Sequence, residues 1–161
     1  MNHDSYDDKY ILDVLKDAKI VAMVGASANW NRPSFFAMKY MQQKGFRVIP
    51  VNPGIAGKEI LGEMVAASLD EIQDPIDMVD IFRNSEAAGA VTDDAIKAGA
   101  KIVWMQLGVR NDEAAKRAED AGLRVVMDRC PKIEYGRLFG ELGWSGVNSG
   151  IITAKRRRVG S

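Results

Sequence analysis

The sequence predicts one α/β domain, a doubly wound parallel sheet of about five strands in a three-layer α/β/α arrangement. Short apolar runs alternate with helical segments along the chain, which is typical of strands joined by helical crossovers. The apolar runs are nearly continuous, as expected for strands that are buried on both faces. A length of 161 residues fits a single domain over 1–161. Its core should span about residues 5–142, followed by an irregular basic tail over 143–161.

The first half of the chain begins with an amphipathic helix over 5–17, which Ser5 can cap. The apolar run at 19–24 is the first strand, because it has the length and composition of a buried strand. The second helix begins near Pro33, which suits a first helical turn, and Gly45 suits its end. Together these segments predict a strand followed by a covering helix.

The same unit recurs along the chain. The second strand covers 46–51, but Pro50 fits poorly in the middle of a strand, so pairing is expected to end there. A capping box at 68–71 opens a short helix. Apolar runs and helix signals then predict a third strand at 76–82, a helix from Asn84 or Ser85 to Gly99, a strand at 101–107, a helix from Asn111 to Gly122, a strand at 123–127 and a helix at 133–142.

Composition removes several classes of function. Lysine and arginine together balance aspartate and glutamate at 22 each, so attraction of nucleic acid by the whole surface is not expected. The single cysteine, Cys130, forms no internal disulfide, and with one histidine, His3, a clustered Cys/His zinc site cannot be built. His3 is expected in a frayed terminus. No apolar run approaches the length of a membrane span, and we expect a cytoplasmic protein without a membrane partner.

Ligands of open parallel sheets bind beyond the carboxyl ends of the strands, where the strand order reverses. After the first strand the chain reads Gly-Ala-Ser, then four residues, then Arg-Pro. Gly25 lets the backbone turn tightly, Ser27 offers a hydroxyl, and the helix that begins at Arg32-Pro33 offers free N–H groups. These features suit a pyrophosphate, but an ordinary strand-to-helix turn without a ligand would have the same sequence pattern.

The residues at the end of the second strand indicate which kind of nucleotide the site could bind. NAD sites carry an acid there that binds the ribose hydroxyls, and this chain has no carboxylate between Gly25 and Lys58. A ligand with an additional phosphate on its ribose would prefer such a neutral or basic place. Arg32, Lys58, Arg83 and Arg110 are all expected near the strand ends, either to neutralise that phosphate or as solvated loop charges.

Four segments together resemble a known family. They are IVAMVGASANWNRPS at 20–34, VIPVNPGIAGKEILG at 48–62, DMVDIFRNSEA at 77–87 and MDRCPKIEY at 127–135. The sequence looks like the CoA-binding domain proteins, small stand-alone relatives of the CoA-binding domain of succinyl-CoA synthetase alpha subunits. The resemblance implies a Rossmann-like fold that holds coenzyme A, or an acyl-CoA, in an extended pose.

The resemblance also implies site residues. Those that match the synthetase loop at the CoA phosphates are Gly25, Ala26 and Ser27, with Arg32 and Pro33 following. Asn52, Pro53 and Gly54 match the loop beside the adenosine. Phe82 and Arg83 stand where that family has a proline-rich segment lining the site, and Gln106, Leu107 and Gly108 match its Thr-Glu-Gly segment.

The chain also departs from the synthetase. The synthetase loop has two further glycines, and Ile55 replaces a lysine of its second loop, for which Lys58 is a substitute. The phospho-accepting histidine of the synthetase lies in a second domain that this chain lacks. Synthesis of acyl-CoA is therefore not carried over, and binding without catalysis is the leading interpretation.

Two alternatives stay open: an NAD(P)-binding oxidoreductase or redox sensor, and a CoA-responsive module that docks to a protein partner. A homo-oligomer is equally open. Cys130 is either a small buried residue or a thiol activated by its cationic neighbours. The basic run Lys155–Arg158 is either solvated surface or a phosphate-binding element.

Overall fold

The computed structural model describes residues 1–140 and shows a five-stranded, all-parallel sheet between two layers of helices. The strands are β1 (Ile20–Val24), β2 (Arg47–Val51), β5 (Met78–Ile81), β6 (Ile102–Met105) and β7 (Arg124–Val126), with a separate hairpin of β3 (Glu59–Ile60) and β4 (Glu63–Met64). The helices are α1 (Asp8–Asp17), α2 (Pro33–Gln43), α3 (Ser85–Lys97), α4 (Asp112–Asp120) and α5 (Pro131–Leu138).

The strand order is β2-β1-β5-β6-β7, which confirms the predicted doubly wound sheet. The chain leaves β1 for β2 on one side and later returns to β5 on the other side of β1. The order therefore reverses between β1 and β5, which is where open sheets of this kind form their crevice.

Two hydrophobic cores lie on the two faces of the sheet. Buried residues of α1 and α2, with Tyr135 and Leu138 of α5, cover one face. Small residues of α3 and α4 cover the other face and pack together with the opposite sides of the strands. Because both faces are covered, β1, β5 and β6 have almost no polar positions, and this explains why their apolar runs were readable in the sequence.

Pro50 does not end the pairing of β2, so that prediction is wrong. Pro50 pairs with Met23, and Val51 pairs with Val24. The backbone groups of β2 at positions 50 and 52 point away from β1: the Ala66 N–H donates to Pro50 O at 2.9 Å, and the Asn52 N–H donates to Ala66 O at 2.9 Å. A missing N–H at position 50 therefore costs the β1–β2 ladder nothing, as expected of proline on an edge strand.

The N-terminal segment also differs from expectation. His3 is buried to 7% exposure rather than frayed, and α1 is preceded by Asp7 rather than capped by Ser5. The reason lies on β7, the other edge of the sheet. The Tyr6 hydroxyl accepts the Met127 N–H at 2.8 Å. The Tyr10 hydroxyl lies 3.1 Å from the Val125 N, whose N–H it accepts, and 2.9 Å from the Val125 O, to which it donates.

Smaller boundary differences have local causes. The predicted capping box at 68–71 does not form, because the Ser68 side chain makes no cap hydrogen bond, and the segment is only a 3-10 turn over Leu69–Glu71. The last helix begins at Pro131, because proline suits a first helical position, and it ends at Leu138. The predicted basic tail over 143–161, including Lys155–Arg158, lies outside the described residues. Within residues 1–140, no helix is long and apolar enough to cross a membrane.

Candidate functional site

A pocket lies at the carboxyl ends of β1, β2 and β5, at the reversal of the strand order. Its volume is about 350 Å³, within the roughly 300–1,000 Å³ of small-molecule pockets. No acidic side chain of the described chain is among its lining residues. Seven residues singled out in the sequence line it together with Ser34: Gly25, Ala26, Ser27, Arg32, Pro33, Asn52 and Phe82.

Gly25 brings two stretches of backbone into direct contact. Its φ is +89°, in the region that favours glycine, and its N–H donates to Val51 O at 3.0 Å. A Cβ at this position would lie 2.3 Å from the carbonyl oxygen of Phe82. The loop after β1 therefore rests on the end of β5 with no room for a side chain between them.

The N-terminus of α2 forms one wall of the pocket. Arg32 precedes the helix in an extended conformation, Pro33 is in its first turn, and no side chain in the described residues caps it. The N–H groups of Phe35 and Phe36 both reach back to Arg32 O, at 3.0 and 3.3 Å. The positive end of the helix dipole and an arginine thus face the same pocket, and this suits an anion.

Ser34 is a pocket residue that the sequence interpretation missed. It is 5% exposed, and its Oγ lies 3.2 Å from the N of Ser27, whose N–H it accepts. Its own hydroxyl hydrogen is left to donate elsewhere. The available signal was a small polar residue one position after the proline that begins the helix.

The loop after β2 supplies one pocket residue of the three that were predicted there. Asn52 lines the pocket, whereas Pro53 and Gly54 belong to an exposed 3-10 turn over Pro53–Ile55 and are not among the lining residues. Lys58 is exposed, three residues beyond that turn, and is not among the lining residues either. The chain carries no carboxylate between Gly25 and Lys58, and none is among the lining residues that the structure describes.

The arginines have different surroundings. Arg32 lines the pocket, and Arg83 lies beside it, since a Cβ on Gly25 would be 3.1 Å from the Arg83 Cδ. Arg110 instead forms ion pairs with Asp4 at 2.8 Å and Asp112 at 2.7 Å, and these carboxylates raise its pKa. Within the described part of the chain, Arg32 and Arg83 are therefore the arginines that these contacts place beside the Gly25 loop.

The loop after β6 lies outside the pocket. Gln106, Leu107 and Gly108 are not lining residues, because β5 separates β6 from β1. The Gly108 N–H donates to the Asp128 Oδ1 at 2.7 Å, and Asp128 has a φ of +59°. The predicted ligand role of these three residues stays a prediction for a ligand that extends beyond the pocket.

Asp80 is a polar feature that the sequence interpretation passed over, although a charged residue in an otherwise apolar strand was visible. It is fully buried in β5, between Met23 of β1 and Trp104 of β6. Neither carboxyl oxygen has a hydrogen-bond partner within residues 1–140. Burial raises the pKa of Asp80 to about 8, so the carboxyl is held mainly in its neutral form at pH 7.

Neither Cys130 nor Trp104 lines the pocket. Cys130 is a free, partly buried thiol at the residue before α5, and its reactivity stays a prediction. Trp104 is fully buried and donates its indole N–H to Arg129 O at 2.9 Å, which makes it a core residue. Within residues 1–140, no group of three or more His, Cys, Asp or Glu could hold a metal ion.

Taken together, a parallel sheet with helices on both faces and an anion-suited pocket at its switch point define a Rossmann-like α/β domain. The sequence profile of the CoA binding domain family matches residues 19–136, and the chain belongs to that family.

Three known proteins show how far the likeness extends. The chain is 38% identical over 125 residues to the uncharacterized protein YneT of Bacillus subtilis, covering 78% of this chain and 91% of that protein. A hypothetical protein from Pyrococcus horikoshii is 38% identical, with a TM-score of 0.81 over 87% of this chain and 97% of the other. The dinucleotide-forming acetyl-coenzyme A synthetase 1 of Ca. Korarchaeum cryptofilum shares the fold at 24% identity and a TM-score of 0.61, over 73% of this chain and 28% of that chain.

Proposed function

We propose that this protein binds coenzyme A or an acyl-CoA and performs no catalysis of its own. The observation that carries the proposal is the pocket at the β1–β5 switch point, in a chain of the CoA binding domain family. The Gly25 loop and the first turn of α2 set the positive end of the helix dipole beside the place that we assign to the diphosphate. Ser34 adds a hydroxyl donor.

The additional phosphate on the ribose is assigned to the two arginines beside the loop. Arg32 lines the pocket and Arg83 lies against Gly25, and guanidinium groups bind phosphate oxygens in bidentate fashion. Asn52, in place of an acid, offers no carboxylate to the free ribose hydroxyls of NAD. This charge pattern favours coenzyme A over NAD, which lacks a phosphate on its ribose.

Non-catalytic binding rests on the chemistry of the pocket. Its lining residues within the described chain include no histidine, cysteine, lysine or carboxylate that could move a proton or attack a thioester.

We also propose a cytoplasmic location, because the chain's single cysteine fits a reducing compartment.

Isothermal titration calorimetry with coenzyme A, dephospho-CoA, NAD and NADP tests the proposal. We expect coenzyme A to bind at least about tenfold more tightly than dephospho-CoA, because one charge-assisted phosphate contact contributes about 1.5–3 kcal/mol. Millimolar or absent binding of coenzyme A contradicts the proposal. Tighter binding of NAD or NADP would instead favour the oxidoreductase alternative.

A further inference from the structure

One peptide unit in the pocket wall is held at both of its ends by side chains. The Asn52 Nδ2 donates to Ala26 O at 2.9 Å, and the Ser27 N–H of the same peptide donates to the Ser34 Oγ at 3.2 Å. The C=O and N–H of a trans peptide point in opposite directions, so two such bonds fix its plane. The Ala26–Ser27 peptide is therefore fixed before any ligand binds.

The amide of Asn52 is largely engaged within the protein. Its Oδ1 accepts the Gly54 N–H at 2.9 Å while its Nδ2 holds Ala26 O. Its backbone N–H donates to Ala66 O at 2.9 Å. These contacts join the loop after β1 to the loop after β2, and they give Asn52 a different role from the ligand contact that the sequence suggested.

The orientation of this peptide decides the polarity of the pocket wall. If the plane turned over, the carbonyl oxygen of Ala26 would take the place of the Ser27 N–H. In the observed orientation the Ser27 N–H donates to the Ser34 Oγ, which leaves the Ser34 hydroxyl hydrogen to donate to a phosphate, whereas the turned carbonyl oxygen would repel a phosphate and could accept that hydrogen itself. We propose that Asn52 is a positioning residue which, together with Ser34, keeps the Ala26–Ser27 peptide in the orientation that an anion requires. The link to ligand affinity rests on the proposed function.

Asn52→Asp tests this role with almost no change of shape. The carboxylate still accepts the Gly54 N–H, but it has no hydrogen to donate and it faces the Ala26 carbonyl oxygen. We expect coenzyme A affinity at pH 8 to fall by about 10- to 100-fold, because the donor to Ala26 O is lost and a carboxylate enters the lining of the pocket. Amide exchange at Ser27 in the free protein separates these two causes, since repulsion of the ligand does not affect it. At acidic pH the protonated carboxyl can donate again, so the ratio to the wild type at the same pH should shrink.

Gln42→Glu is the matched control. The Gln42 Nε2 also donates to a backbone carbonyl, Leu61 O at 3.1 Å, and Gln42 is half-buried, but it does not line the pocket. We expect this variant to change coenzyme A affinity by less than about twofold. Ser34→Ala is the second variant, because it removes the other bond of the same peptide and should also weaken binding.

Amide hydrogen exchange of the free protein reads the same contact without ligand. In Asn52→Asp we expect faster exchange at Ser27 and retained protection at Gly54, and Gln42→Glu should change neither. Wild-type affinity in Asn52→Asp across the pH range, or equal losses in Asn52→Asp and Gln42→Glu, would overturn the inference. If the wild type binds no coenzyme A, the proposed function fails, and the exchange at Ser27 alone then decides the role of Asn52.

Discussion

Glycine is required at position 25 for two reasons, one conformational and one steric. Its positive φ excludes most side chains by conformation, and the carbonyl oxygen of Phe82, 2.3 Å from where a Cβ would lie, excludes them by space. Gly45 has a similar φ of +95° with nothing within 4 Å, so it shares only the first requirement. Substitutions at these two glycines therefore allow the cost of conformational strain to be measured apart from the cost of steric overlap.

We expect Gly25→Ala to lower the free energy of unfolding by about 2–4 kcal/mol and to abolish coenzyme A binding. Gly45→Ala should cost about 1 kcal/mol and leave binding unchanged. Urea denaturation and calorimetry measure both effects. If the two variants lost the same free energy of unfolding, the steric overlap with Phe82 O would contribute nothing to the effect of Gly25→Ala.

Asp80 gives a prediction about pH. Its pKa of about 8 in the folded state lies above the unfolded value of about 4, so the folded state retains a proton that the unfolded state has lost. The free energy of unfolding should therefore fall between about pH 4 and pH 8 and level off above that range. Asp80→Asn removes this dependence and should stabilise the protein by about 2–4 kcal/mol at pH 7, with little difference near pH 4.

Thermal and urea denaturation at several pH values check this expectation. Asp77→Asn is the control: Asp77 Oδ2 accepts the N–H groups of Lys19 and Ile20 at 3.0 and 2.9 Å, so its substitution should destabilise the protein. A destabilised Asp80→Asn variant at pH 7 would mean that the carboxyl has a partner which its burial conceals.

At the scale of elements, the two edges of the sheet are covered in different ways. On β2, backbone groups that face outward bind Ala66. On β7, the side chains of Tyr6 and Tyr10 take that place, four residues apart on the chain and two residues apart on the strand. Their rings stack at 5.8 Å, and burial raises the pKa of both hydroxyls. Covering an edge in this way prevents it from pairing with another chain.

The edge contacts should be measurable in a double variant. We expect Tyr10→Phe alone to lower the free energy of unfolding by about 1–2 kcal/mol, because the Val125 N–H and C=O lose their partner. Tyr6→Phe combined with Tyr10→Phe should also increase self-association, as measured by sedimentation velocity over a range of concentrations. If the double variant kept the wild-type free energy of unfolding and did not self-associate more than the wild type, these hydroxyls would not protect the edge.

At the scale of the whole molecule, the layered α/β fold was predictable because both faces of the sheet are buried. Gly25 and Pro33 were readable because glycine and proline restrict the backbone wherever they occur. Pro50 was misjudged, since the sequence does not tell which side of a strand faces an edge. The burial of His3 has a related reason: Tyr6 is only three residues away, but its other partner, Glu119, is brought to it by the fold and leaves no local pattern.

The site shows the same division. Strand ends predict which loops meet, so residues after β1, β2 and β5 were found, and so was the absence of an acid after β2. Sequence did not show that the loop after β6 stands apart from the pocket, because strand order is a property of the sheet. Nor did it show that Ser34 points into the pocket or that Asp80 lacks a partner, because both depend on packing between a helix and the sheet.

The direct seating of the Gly25 loop on Phe82 O has an evolutionary consequence. Where backbone touches backbone, the width of the gap is set by bond lengths and ladder spacing, which are common to all chains. Substitutions of side chains elsewhere in the two cores can then leave the distance between the Gly25 loop and Phe82 O unchanged. We therefore expect divergent descendants of such a domain to vary freely in their interiors while retaining a glycine at this single position.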